Sequence, residues 1–143
     1  MAADIKRILE SNPQVESVIL ILGGNDCESD RFYLDDIKYN YDALIDMIKL
    51  TVPNSDIIIS SIPQRRWCSA RTHIRIAKLN SYNSEKENPD YGVYYADAAP
   101  RYGHQFRDRL HFNNKGLGHW ADIISSKLNS LSNFQGGDLI THL

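Results

Sequence analysis

The sequence predicts an α/β domain built on a parallel sheet. Short, continuously apolar runs recur at residues 18–22 (Val-Ile-Leu-Ile-Leu), 56–61 (Asp-Ile-Ile-Ile-Ser-Ser) and 93–96 (Val-Tyr-Tyr-Ala). Each is too short for an ordinary helix and apolar at successive positions, as strands covered on both faces are. Helical periodicity fills the intervals between them. Strands alternating with helices in this way imply a parallel sheet with right-handed crossovers. The functional crevice of such a sheet lies outside the carboxyl ends of its strands.

Taken in order, Asp4 is placed to cap a short helix carrying Ile5, Ile8 and Leu9, which Asn12-Pro13 ends. The first strand follows. From about Asp30, the residues Leu34, Ile37, Tyr41, Leu44, Ile45 and Ile48 recur at helical spacing and form one core-facing stripe. Val52-Pro53-Asn54-Ser55 breaks that helix, and Ile62-Pro63 closes the second strand. The next helix is expected over residues 70–82, with Ile74, Ile76, Ala77 and Leu79 inward. Asn88-Pro89-Asp90 is a turn before the third strand, and residues 98–110 read as loop. A final helix over residues 114–131 turns Leu117, Trp120, Ala121, Ile124, Leu128 and Leu131 to one side. Residues 132–143 contain Gly136-Gly137 and no clear period, so they read as a C-terminal tail to a domain of residues 1–131.

A chain of 143 residues is long enough for one domain with a real core and too short for two. A net charge of −2 supplies no basic field, so no nucleic-acid or anionic-membrane partner is expected. No apolar stretch approaches the roughly 20 residues that span a bilayer. Met1-Ala2-Ala3-Asp4 lacks the pattern of a secretory signal. Two cysteines, Cys27 and Cys68, make no disulfide framework and favour a reduced, cytoplasmic setting. The basic cluster of Arg65, Arg66, Arg71, Arg75 and Lys78 around Trp67 reads as a solvated loop and helix face. His73, His104, His119 and His142 show no metal-ligand spacing, and no metal or organic cofactor is implied.

Two motifs carry chemistry. Gly23-Gly24-Asn25-Asp26 follows the first strand directly, where Asn25 can offer an N–H to a developing oxyanion. The same four residues suit a plain strand-ending turn. Asp108-Arg109-Leu110-His111 places a carboxylate and an imidazole three residues apart before the last helix. A hydrolytic base needs such an acceptor on its second ring nitrogen. Read otherwise, this is a polar loop with Asn113 or Asn114 as helix cap. Cys27, beside Asn25, is either a thiol nucleophile or a small buried cysteine.

Together the two motifs resemble those of the SGNH/GDSL hydrolases, which are mostly esterases, acetyl esterases and lipases. Gly23, Gly24, Asn25 and Asp26 match that family's Gly-X-Asn-Asp block, and Asp108 with His111 matches its Asp-X-X-His block. The resemblance implies a three-layer αβα, flavodoxin-like fold. It also implies Asn25 as oxyanion donor, His111 as general base, Asp108 as its orienting partner, and Gly23, Gly24 and Asp26 as support. The family's nucleophile lies in a Gly-Asp-Ser motif after its first strand, and no Gly-Asp-Ser occurs in this chain. The expectation is therefore a fold truncated at its N-terminal strands. Its β-edge at residues 18–22 would be exposed and open to self-association. The expected activity is hydrolysis of a small ester or O-acetyl group. The alternative is an inactive relic or interaction domain of the same fold.

Overall fold

The computed structural model of the protein describes residues 2–108, 111–131 and, for the backbone only, 139–142. Arg109, Leu110 and the Gly136-Gly137 pair lie outside the described residues. The first helix, α1 (Ala2–Glu10), buries Ile5 and Leu9 completely. Asp4 sits inside its first turn, paired with Arg7 at 3.1 Å, and is not its cap. Strand β1 (Ser17–Leu20) leads through α2 (Gly24–Glu28) to α3 (Leu34–Thr51), whose buried residues include Ile37, Tyr41, Ile45 and Ile48. Strand β2 (Asp56–Ser60), α4 (Ala70–Ser84), β3 (Val93–Ala96) and α5 (Asn114–Asn129) complete the predicted alternation.

Every strand pairing is parallel. Val18, Ile19 and Leu20 of β1 lie opposite Ile57, Ile58 and Ile59 of β2, and Ile57 to Ser60 lie opposite Val93 to Ala96. Alternate residues feed two cores. Val18, Leu20, Ile57, Ile59 and Val93 pack with the buried faces of α1, α3 and α4. Ile19, Ile21, Ile58 and Ala96 pack with Trp120, Ile124 and Leu128 of α5. The result is three layers, α on β on α, and it explains why the strands read as continuously apolar.

The structure corrects the sequence reading at several points. A fourth strand, β4 (Leu139–His142), lies in the segment read as a tail and pairs in parallel with β1. The sheet order is β3-β2-β1-β4, so the edge of β1 expected to be exposed is covered. The β4 sequence, Leu-Ile-Thr-His, lacks the continuous apolar run that marks the other strands. On α4, Ile74 is 54% exposed and Ala77 is exposed, while Thr72, Arg75, Ile76, Leu79 and Asn83 face inward. Arg75, which the sequence pattern places on a solvated face, does not lie on one. It is buried because its guanidinium donates to three backbone carbonyls, of Cys27, Ser29 and Phe32. That polar anchor, invisible to an apolar count, rotates the helix. On α5, Leu117 is exposed, and Gly116 takes the inward place at the first turn.

Candidate functional site

The first wall of the site starts where β1 ends. Tyr41 on α3 donates its hydroxyl to the Leu22 carbonyl at 2.8 Å and accepts from the Leu22 N–H at 3.2 Å. It thereby satisfies backbone groups that have left the sheet. Burial pushes the Tyr41 hydroxyl well above the usual tyrosine range, so it stays a neutral donor. Gly23 then adopts φ 105°, a left-handed conformation that a side chain rarely takes. An added Cβ there would also lie 3.0 Å from Leu79. This turn opens α2, a five-residue helix, where the sequence offered either an oxyanion donor or a strand-ending turn.

Asn25 stands in the first turn of α2. Its Oδ1 accepts from Arg65 Nη2 at 2.8 Å, and Arg65 Nη1 pairs with Glu28 Oε2 at 2.9 Å. A guanidinium only donates, so it must face the oxygen of the amide and leaves Asn25 Nδ2 as the outward donor. Arg65 lies in the loop after β2, within the cluster that the sequence pattern places in solvent. Its side chain is in fact only 11% exposed.

The second wall is the loop before α5. Asn113 caps that helix by accepting from the Gly116 N–H at 3.0 Å, and its Nδ2 donates to the His104 carbonyl at 2.6 Å. A Cβ at Gly116 would lie 2.1 Å from the Gln105 carbonyl oxygen, so only glycine lets α5 begin this close to the preceding turn. The Arg107 N–H donates to the His111 carbonyl at 2.9 Å. The Asp108 carboxylate accepts from the His111 backbone N–H at 2.7 Å and from His111 Nδ1 at 2.8 Å. The proton is thus assigned to Nδ1, and Nε2 is left to accept. Both side chains are about half exposed.

A cleft of about 310 Å³ joins these walls at the carboxyl ends of β1 and β2. Gly23, Gly24, Asn25 and Asp26 line one side, Ile62 and Arg65 another, and His111 with Phe112 a third. Asn25 and His111, far apart in sequence, therefore face one space. No serine, threonine or cysteine lines it among the described residues. Cys27 is fully buried, and burial raises its thiol, so its placement is that of a small core residue and not of a nucleophile. Ser60 and Ser61, at the end of β2, are buried and bonded. Ser60 Oγ accepts from Trp120 Nε1 at 2.9 Å, and Ser61 Oγ accepts from the Ala99 N–H at 2.9 Å. Among the described residues no three His, Cys, Asp or Glu side chains are grouped to hold a metal ion, and no helix is long and apolar enough to cross a membrane.

No protein-family model matches the chain, and no curated protein does. Solved structures do. An acetyl esterase mutant crystallised with acetate superposes with a TM-score of 0.70 at 23% identity, over 90% of this chain and 66% of that one. A carbohydrate esterase family 3 protein from Talaromyces cellulolyticus gives 0.70 at 22% identity, again over 90% and 66%. A peptidoglycan O-acetylesterase gives 0.60 at 16% identity, over 80% of this chain and 37% of that one. The scaffold is thus one that esterases use. The three-layer α/β arrangement expected from the sequence is the fold these esterases share. The chain spans about two thirds of the length of the first two of these structures.

Proposed function

We propose that this chain is the SGNH/GDSL-type esterase domain of a serine hydrolase acting on a small ester or O-acetyl group. One observation carries the proposal: Asn25 and His111 face one cleft, and Asp108 holds His111 Nδ1 at 2.8 Å. In this reading His111 Nε2 takes the proton of a serine hydroxyl and later returns it to the leaving alcohol. General base catalysis of this kind contributes roughly 10²–10⁴-fold. Asn25 Nδ2, turned outward by Arg65, meets the oxyanion of the tetrahedral intermediate. Such a donor is worth roughly 2.7–4 kcal/mol. Gly23, Gly24 and Asp26 shape the wall that presents it. The esterases of like fold support an acyl substrate. The internal commitments of Arg65, Arg71 and Arg75 speak against a nucleic-acid surface, since their partners are Glu28, Asp30 and three backbone carbonyls. Two free thiols suit a reducing, cytoplasmic setting. Self-association through the sheet follows in this reading only where the edge of β1 is uncovered.

These 143 residues alone should turn over aryl acetates negligibly, because the cleft offers the base no hydroxyl among the described residues. The decisive experiment reads the transcript upstream for a strand followed by Gly-Asp-Ser and assays that longer chain. Ester hydrolysis abolished by His111→Ala is the expected result. A longer chain that carries the motif and remains inert sinks the proposal and leaves the relic reading.

A further inference from the structure

A second constellation lies in the loop after β2 and the first turn of α4, and neither Cys68 nor His73 lines the cleft just described. Cys68 Sγ is 3.3 Å from His73 Nε2, and His73 Nδ1 is 2.8 Å from Gln64 Oε1. Gln64 Nε2 donates to the His73 backbone carbonyl at 2.9 Å. That last bond fixes the rest. A carbonyl only accepts, so the amide nitrogen of Gln64 must face it and the amide oxygen must face the ring. An amide oxygen only accepts, so His73 Nδ1 carries the proton. Nε2 therefore turns a lone pair toward the thiol. Cys68 Sγ also lies 3.2 Å from the Arg65 carbonyl oxygen, so its one proton has two acceptors within reach, of which only the imidazole can take it up. A nucleophile, a base and a group that orients the base are thus neighbours, the arrangement that activates cysteines elsewhere.

The surroundings indicate what would react. Gln64 and His73 open onto a cleft of about 370 Å³ lined also by Arg65, Arg66, Trp67 and Arg101. Arg65 and Arg101 are paired with Glu28 and Asp97. Arg66 makes no ion pair among the described residues and stacks on the Trp67 ring, 4.8 Å from its centroid. Cys68 does not itself line this cleft; it follows the lining residue Trp67 and is half-buried, with the exposed His73 between it and the cleft.

We propose that Cys68 is a reactive thiol that exchanges with small anionic disulfides entering this arginine-lined cleft. His73 Nε2 takes the Sγ proton, and the thiolate attacks one sulfur of the disulfide. The S–S bond breaks, the departing thiolate takes a proton, and Cys68 is left in a mixed disulfide. The Cys68 thiolate gives an electron pair to the new S–S bond and the departing sulfur keeps the pair of the broken one, so one disulfide replaces another and no external oxidant is needed. Gln64 and Arg65 line both clefts, but Cys68 and His73 take no part in the esterase reading, and the thiol chemistry does not depend on it.

The test treats the folded chain with glutathione disulfide at pH 7 and follows the mixed disulfide by intact mass and peptide mapping. Cys68 should be modified and the fully buried Cys27 spared. His73→Ala removes the base that takes the Sγ proton as the thiol attacks, so it should slow the reaction about tenfold. Gln64→Leu, which keeps the imidazole but removes its acceptor, should slow it too. Both residues are exposed, so the fold should survive, and circular dichroism checks that it does. Arg66→Gln should slow glutathione disulfide about fivefold and leave cationic cystamine no slower. Equal rates in the parent and His73→Ala chains overturn the proposal. Modification of Cys27 ahead of Cys68 does so as well. An equal response of both reagents to Arg66→Gln overturns the charge selection.

Discussion

On the Asn25 wall, side chains reach in from other elements to hold it: Arg75 ties down three backbone carbonyls, Arg65 spans the Asn25 and Glu28 side chains, and the neutral Tyr41 closes the end of β1. On the His111 wall, the contacts are short in sequence. Asp108 bonds a residue three positions away, Asn113 caps the helix it precedes, and both members of the dyad are half in water. One wall is fixed by tertiary contacts that are lost when the fold is lost. The other is fixed by a local loop seated on one close approach at Gly116. Substitutions on the first wall should therefore be read in stability, and those on the second in geometry.

The largest effect should follow Arg75→Met. It orphans three backbone acceptors at once, and each unpaired group costs about 1–3 kcal/mol, so a total loss of about 3 kcal/mol is expected. Urea unfolding measures it, and a loss below about 1 kcal/mol would place water on those carbonyls. Gly116→Ala comes next, at about 2 kcal/mol, because a methyl group must displace the Gln105 carbonyl. If the second wall is seated as described, this change should also shift the His111 and Asn113 amide resonances. Asp108→Asn should leave stability within about 0.5 kcal/mol, since the site is half exposed. An amide keeps only one acceptor of the two, so the His111 ring should lose its fixed orientation, visible as weakened ring contacts in NMR. A large stability loss here would make the dyad part of the framework.

The smallest effect concerns the far end of α5. Lys127 Nζ bonds Glu87 Oε1 at 2.7 Å, and this bond chiefly holds the Glu87 carboxyl below the usual range. A folded-state value below the unfolded one gives stability that is present above the ordinary carboxylate range and lost as pH falls through the folded value. For a pair this exposed the contribution is a few tenths of a kcal/mol. Lys127→Ala should flatten the acid limb of the stability profile slightly, and a parent profile that is already flat there would remove the pair from the account.

Much of this was legible in the sequence because it rests on periodicity and local spacing. The three core strands, the faces of α3 and most of α5, and the motifs around Asn25 and His111 are such features. What escaped rests on partners distant in the chain. Arg75 looks solvated until the carbonyls of Cys27, Ser29 and Phe32 are seen around it. β4 reads Leu-Ile-Thr-His, with only two apolar residues in succession, so no continuous apolar run announces it. The Cys68–His73 contact follows no motif spacing and arises because Ser69 caps α4 by accepting from the Thr72 N–H, which sets His73 in the first turn above the thiol.

The chain has two tryptophans, and the fold assigns them opposite environments. Trp67 is 82% exposed on the rim of the arginine-lined cleft, whereas Trp120 is 8% exposed and bonded to Ser60 beneath the sheet. Their fluorescence should separate accordingly. Iodide should quench the red-shifted emission of Trp67 and leave the blue emission of Trp120. The protein thus carries two built-in optical reporters, one for events at the cleft rim and one for the seating of α5, without any added label.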